Sequence, residues 1–161
     1  MRKGFTMIEL IFVIVILGVL ASVAIPRLAA TRDDAEVAKA ATNLATAVSD
    51  LTAYYTAKGS FTSSTNNAVI TDFSKITNAL DKSGKLNMKG KECAEVELPG
   101  APANANDKVE ITIKFTGTDA ACTTLKGLSS IKQMCGKSGA SESISAGGCK
   151  IQVGGSGGIA W

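Results

Sequence analysis

Apolar residues are concentrated at the start of the chain. Positions 5–25 are apolar with three exceptions, which are Thr6, Glu9 and Ser22. A helix over this range is about 31 Å long at about 1.5 Å per residue, which matches the hydrocarbon thickness of a bilayer. The preceding Arg2 and Lys3 favour an N-terminus that stays in the cytoplasm while the rest of the chain is exported. The pattern predicts a membrane-spanning helix.

After Pro26 the apolar residues form a stripe along one helical face instead of surrounding the helix. The stripe has spacings of four and three residues and consists of Val37, Ala41, Leu44, Val48, Leu51 and Tyr55. A cation followed by glycine, Lys58-Gly59, is typical of a helix end. We therefore expect one helix over 5–58, interrupted or kinked at Pro26 because proline lacks an N–H group.

The remaining residues, 60–161, predict a small mixed head. Strict alternation over 93–98 and 109–115 predicts a β-hairpin. The other expected elements are a loop over 60–67, a short helix over 71–80, a loop over 82–91, a helix within 123–134 and a strand over 150–153. The fold class is therefore α+β, with a long N-terminal α-helix packed on a small antiparallel β-sheet.

Composition excludes several kinds of chemistry. The chain has no histidine, which excludes Ser-His-Asp and Cys-His catalysis and histidine-ligated metal sites. Glu95 and Glu97 are two residues apart on one strand, where a solvated strand face is the simplest interpretation. The net charge of +3 gives no indication of a nucleic-acid partner. We expect no enzymatic activity, no cofactor and no metal.

The four cysteines lie in the distal half of the chain. Cys93, Cys122, Cys135 and Cys149 show no C-x-x-C spacing, so two disulfides formed in an oxidising compartment are favoured over a metal or redox site. Three pairings are possible. We favour Cys93–Cys122, which would bridge the ends of the hairpin, and Cys135–Cys149, which would close the terminal loop.

Glu9 is the residue that distinguishes between interpretations of the apolar segment. A cleaved signal peptide would require a shorter apolar run ending near 20–24, and a plain signal anchor leaves Glu9 unexplained. A carboxylate in an apolar helix costs on the order of 3 kcal/mol, although near the helix start it could reach the membrane interface. No lysine or arginine occurs over 5–26. A suitable cation is the α-amino group of Phe5 on a neighbouring subunit, created by cleavage after Gly4.

The sequence Gly4-Phe5-Thr6-Met7-Ile8-Glu9, preceded by basic residues and followed by an apolar run, resembles the prepilin signature of type IV pilins. The resemblance implies that a prepilin peptidase cleaves between Gly4 and Phe5 and N-methylates Phe5. It also implies a precursor in the bacterial inner membrane with its head in the periplasm. With the pilus assembly machinery, such subunits form a homo-oligomeric helical filament outside the cell, used for adhesion, twitching motility or DNA uptake.

The chain resembles type IVa major pilins in its four-residue leader and in the positions of Gly18 and Pro26. In that family the segment between such residues can melt in the filament, so we expect flexibility over 18–26. The implied organisation is a leader over 1–4, a filament-core helix over 5–29 and a head over 30–161. The head comprises an amphipathic helix over 30–58, a loop over 59–91, and a sheet with a disulfide-tied terminal region over 92–161.

Two alternatives remain open. One is a pseudopilin or minor pilin of a type II secretion or competence system. Pseudopilins often carry an acidic calcium-binding cluster near their end, whereas Glu142 is the only acidic residue from Ala120 onward in this sequence. The other is an anchored binding or enzymatic domain with an incidental signature.

Overall fold

A long helix, α1, extends from Met7 to Lys58 in the computed structural model, which describes residues 4–63, 66–104, 107–137, 142–145 and 147–155. The chain divides into two compact units, residues 1–35 and 36–161. Pro26 lies inside α1, so the predicted single helix is confirmed and is not interrupted at this residue, whereas a kink at Pro26 stays a prediction. The predicted C-terminus is confirmed, because Gly59 has a φ of 73° and its N–H donates to the Tyr55 carbonyl at 2.7 Å.

Four antiparallel strands form one sheet in the second unit. They are β1 (Lys85–Met88), β2 (Lys91–Glu97), β3 (Val109–Lys114) and β4 (Cys149–Gly154), in the spatial order β1-β2-β3-β4. The predicted hairpin is confirmed as β2 and β3, with Val96 opposite Ile113. Together with the helix packed on this sheet and two disulfides, these strands make an α+β, pilin-like fold.

Strand β1 corrects the predicted loop over 82–91. Leu86 and Met88 are buried, and they alternate with the more exposed Lys85 and Asn87. A two-residue turn connects β1 to β2, and both turn residues, Lys89 and Gly90, have positive φ. Lysine rarely occupies such a position, and the strand has only two apolar residues. The local sequence therefore does not predict the hairpin of β1 and β2.

The expected helix over 71–80 is also wrong, because only a single 3-10 turn forms, at Phe73–Lys75. Its carboxylate cap, Asp72, accepts a hydrogen bond from the Ser74 N–H at 3.2 Å. Thr77 is buried farther along this segment, and its hydroxyl donates to Asp50 of α1 at 2.7 Å. This long-range hydrogen bond holds the segment against α1, and it favours an irregular conformation over a regular helix.

The expected helix within 123–134 is two helices. Helix α2 extends over Ala120–Gly127 and α3 over Ser129–Met134. Asp119 caps α2, since its carboxylate accepts from the Cys122 N–H at 2.9 Å. Leu128 separates the helices because its ψ of 137° is not helical.

The buried face of α1 is rotated from the predicted stripe. Within the second unit, the most buried side chains of α1 are Val37, Ala40, Leu44, Ala47 and Leu51, whereas Ala41, Val48 and Tyr55 are only partly buried. The buried positions are still three and four residues apart, but two of them are alanines, Ala40 and Ala47. This face shares one core with Leu86, Val96, Ile111 and Ile113 of the sheet and with Leu125 and Ile131 of α2 and α3.

Two disulfides connect the sheet to the short helices. Cys93 of β2 pairs with Cys122 of α2 at a Cα separation of 5.1 Å. Cys135, directly after α3, pairs with Cys149 of β4 at 5.4 Å. These are the two pairs favoured by the sequence, although the first joins a strand to a helix rather than the ends of the hairpin.

Candidate functional site

The first unit presents an apolar helix surface on all sides. Among the described residues of this unit, the large hydrophobic side chains from Phe5 to Leu28 are between 45% and 82% exposed. The mean hydropathy reaches 2.9 over an 18-residue window, which is sufficient by length and composition for a membrane span. Such a surface requires an apolar environment, which a bilayer or a bundle of similar helices provides.

Thr6 and Glu9 form a reciprocal capping box at the start of α1. The Thr6 backbone N–H donates to Glu9 Oε2 at 2.8 Å, and the Thr6 hydroxyl donates to the same oxygen at 2.6 Å. In return, the Glu9 N–H donates to Thr6 Oγ1 at 3.4 Å. The T-x-x-E spacing of Thr6-Met7-Ile8-Glu9 is a known sequence signature of this motif. Sequence reasoning missed it because the role of Glu9 was sought outside its own helix.

The capping box leaves part of the carboxylate available. Both hydrogen bonds from Thr6 end on Oε2, so among the described residues no donor bonds to Oε1. The nearest basic side chain along the helix is Arg27, about 27 Å away at 1.5 Å per residue. A cation that pairs with Glu9 must therefore come from another molecule or from the start of the chain.

Gly4 and Phe5 lie just outside the helix. Both are exposed, Phe5 at 81%, and α1 begins only at Met7. The Gly4–Phe5 peptide is thus part of a non-helical, accessible segment, as proteolysis requires. Residues 1–3 of the leader lie outside the described residues, so cleavage and methylation remain predictions.

A model for the prokaryotic N-terminal methylation motif matches residues 1–25. The chain carries this motif. It supports a type IV pilin-like or pseudopilin protein, and it includes Gly4, Phe5, Thr6 and Glu9. No curated protein and no solved structure matches the chain.

Gly18 and Pro26 are the two residues expected to make the helix flexible. The matched methylation motif ends at residue 25, directly before Pro26. Gly18 and Pro26 both lie within α1. Pro26 has no N–H group to donate to the Ser22 carbonyl one helical turn earlier. The Ser22 hydroxyl donates to the Val19 carbonyl at 2.7 Å. The helix is continuous through 18–26, so melting of this segment in a filament remains a prediction.

Outside the methylation motif, ionisable groups on the sheet are engaged in ion pairs. Lys85 Nζ lies 2.6 Å from Glu92 Oε2, and Lys114 pairs with Glu97. The hydrogen bond from Lys85 lowers the pKa of Glu92 and raises the pKa of Lys85. Because these groups are solvent-accessible, the pairs contribute little to stability. Lys85 and Glu92 therefore form a charged surface pair.

A group of potential metal ligands forms around the first disulfide. Ligand atoms of Cys93, Asp119 and Cys122 lie within 4.8 Å of one another. The two sulfurs are bonded to each other, so neither is a thiolate ligand. Asp119 meanwhile caps α2. These contacts account for the cluster as a structural feature.

Proposed function

We propose that this protein is the structural subunit of a type IV pilus, which polymerises through its N-terminal helix into an extracellular filament. The observation that carries the proposal is the methylation motif on a helix whose apolar side chains are exposed all round. The precursor is held in the inner membrane with its head in the periplasm. Prepilin peptidase removes residues 1–4 and methylates Phe5. The pilus assembly machinery then transfers the helix from lipid into the filament.

The driving force for specific assembly lies at the helix start. Lipid and a helix bundle are about equally apolar, so the transfer gains little hydrophobic free energy. Helix packing and pairing of opposite charges therefore determine the arrangement. We assign Oε1 of Glu9 as the acceptor for the methylated amine of Phe5 on a neighbouring subunit. Thr6 holds the other oxygen and so fixes the direction of the carboxylate.

The capping box also explains how a carboxylate is tolerated in the apolar segment. Two donors from Thr6 partly satisfy Oε2 before any neighbour arrives, and the positive end of the helix dipole stabilises a negative charge in the first turn. The carboxylate is thus held in a fixed orientation in the membrane-held subunit. Breaking a buried charge pair by removing one partner costs about 3–5 kcal/mol, so the contact discriminates strongly against a misaligned subunit.

The alternative assignment is a pseudopilin or minor pilin, which carries the same motif. Deleting the gene separates the pilus role from the secretion role. We expect the deletion to remove surface fibres, as seen by electron microscopy of sheared cell-surface material, while release of exoproteins into the medium continues at the wild-type rate. Complementation with the intact gene should restore the fibres. Loss of exoprotein release with fibres retained would establish the secretion role instead.

A further inference from the structure

The head contains an open pocket of about 640 Å³ between the end of α1 and the loop that follows it. One wall is the last turn of α1, with Tyr54 and Lys58, and another is the 3-10 turn that ends at Lys75. The third wall is formed by Ser60, Thr62, Ser63 and residues 66–71. All of these residues belong to the second unit. Small-molecule sites commonly have volumes of about 300–1,000 Å³.

The walls of the pocket are held in place by bonds of their own. Phe61 and Ile70 are joined by a backbone hydrogen bond of 2.9 Å, and Thr62 and Val69 form an antiparallel bridge. Tyr54 stacks on the buried ring of Phe61 with an interplanar angle of 10°. A site preorganised in this way loses less conformational entropy on binding a ligand.

The lining combines positive charge with hydroxyl and amide groups. Lys58 and Lys75 supply two ammonium groups, and Asp72 supplies one carboxylate. Hydrogen bonds from Ser74 lower the pKa of Asp72, so the pocket has a balance of one positive charge at neutral pH. The uncharged polar lining residues are Ser60, Thr62, Ser63, Asn66, Asn67 and Thr71.

The pocket also contains an exposed apolar residue. Val69 is 36% exposed, and among the described residues after 35 no other large aliphatic or aromatic side chain is as exposed. Val69 and the ring of Tyr54 provide apolar surface next to the polar groups. A ligand that matches this lining has C–H faces, many hydroxyl groups and a sparse negative charge.

We propose that this pocket binds an acidic saccharide, in which pyranose rings carry carboxylate groups. The ring C–H groups pack on Tyr54 and Val69, the hydroxyls bond to the serine, threonine and asparagine side chains, and a carboxylate lies between Lys58 and Lys75. Ionised Asp72 opposes more densely charged polyanions. The proposal does not depend on polymerisation, because the pocket lies within one head, although a filament would repeat the site and increase avidity.

The test is titration of the full-length protein in detergent micelles with tetragalacturonate, followed by calorimetry. We expect saturable binding that weakens with salt. The double variant Lys58→Gln/Lys75→Gln should weaken it about tenfold, as expected for the loss of two solvent-accessible charges. Val69→Asp should weaken it further by repulsion. The matched double variant Lys108→Gln/Lys126→Gln removes two positive charges outside the pocket and should bind as the wild type does.

Several results would overturn the proposal. These are no binding by the wild type, equal weakening by the pocket and control variants, or equal affinity for neutral maltotetraose, which would remove the role of the carboxylate. Competition by sodium acetate at the same molar concentration as the oligosaccharide would show a simple anion site without saccharide recognition. Circular dichroism of each variant confirms that the head is folded, so that a lost signal reports the site.

Discussion

Replacing Glu9 with glutamine should abolish fibre assembly while the subunit remains inserted in the membrane. Glutamine also serves in capping boxes, so the introduced amide oxygen can still accept the hydrogen bond from the Thr6 N–H. The substitution therefore preserves the helix start and removes only the charge. In the filament the Phe5 amine of the neighbour would be buried without a counter-charge, at a cost of about 3 kcal/mol or more per subunit. Fibre yield in sheared surface material should fall below detection.

The reciprocal control is Thr6→Val, which removes the hydroxyl that donates to Glu9 at 2.6 Å and keeps the charge. A lost side-chain cap costs about 1 kcal/mol, so fibres should still form with a reduced yield. Membrane fractionation should show both variants in the inner membrane in amounts similar to the wild type. Abundant fibres from Glu9→Gln would show that charge pairing does not govern assembly. Equal loss from both variants would instead show that helix capping governs it.

Removing the disulfide between Cys93 and Cys122 should destabilise the head more than any single surface substitution. The bond closes a loop with a sequence separation of 29 residues, against 14 for the bond between Cys135 and Cys149. The chain-entropy model gives about 3.5 kcal/mol for the longer loop and about 3 kcal/mol for the shorter one. Each loss should lower the Tm of the head by about 10 °C.

The double alanine variants Cys93→Ala/Cys122→Ala and Cys135→Ala/Cys149→Ala form a matched pair for this measurement. Cys93 and Cys122 are also the more deeply buried, at 0% and 2% exposed, so their replacement leaves a small cavity as well. Thermal unfolding followed by circular dichroism should therefore rank the first variant as less stable. Adding a reductant to the wild type should reproduce most of the combined loss. A variant that unfolds at the wild-type temperature would contradict the structural role of its disulfide.

Features encoded by short stretches of sequence could be predicted. The helix end at Lys58-Gly59 and the hairpin of β2 and β3 follow from local patterns, and the structure has both. The prepilin signature is equally local, which is why the matched methylation motif coincides with it. The capping box at Thr6 was also readable, from its T-x-x-E spacing.

Features that depend on distant contacts could not be predicted. Strand β1 forms because β2 lies beside it and a core lies beneath Leu86 and Met88, whereas its own lysine- and glycine-rich surroundings suggest a loop. Thr77 is held by Asp50, 27 residues earlier, so its segment does not follow the local helical pattern. The pocket is assembled in the same way, from residues of α1 and of the loop after it.

The mature subunit should begin at a charged, methylated Phe5. The intact mass of subunits from sheared fibres measures this. The mass should equal that of residues 5–161 plus one methyl group, minus the four hydrogens lost in forming two disulfides. Fibres whose subunits retain residues 1–4 would have no Phe5 amine to pair with Glu9, and assembly could not then depend on this charge pair.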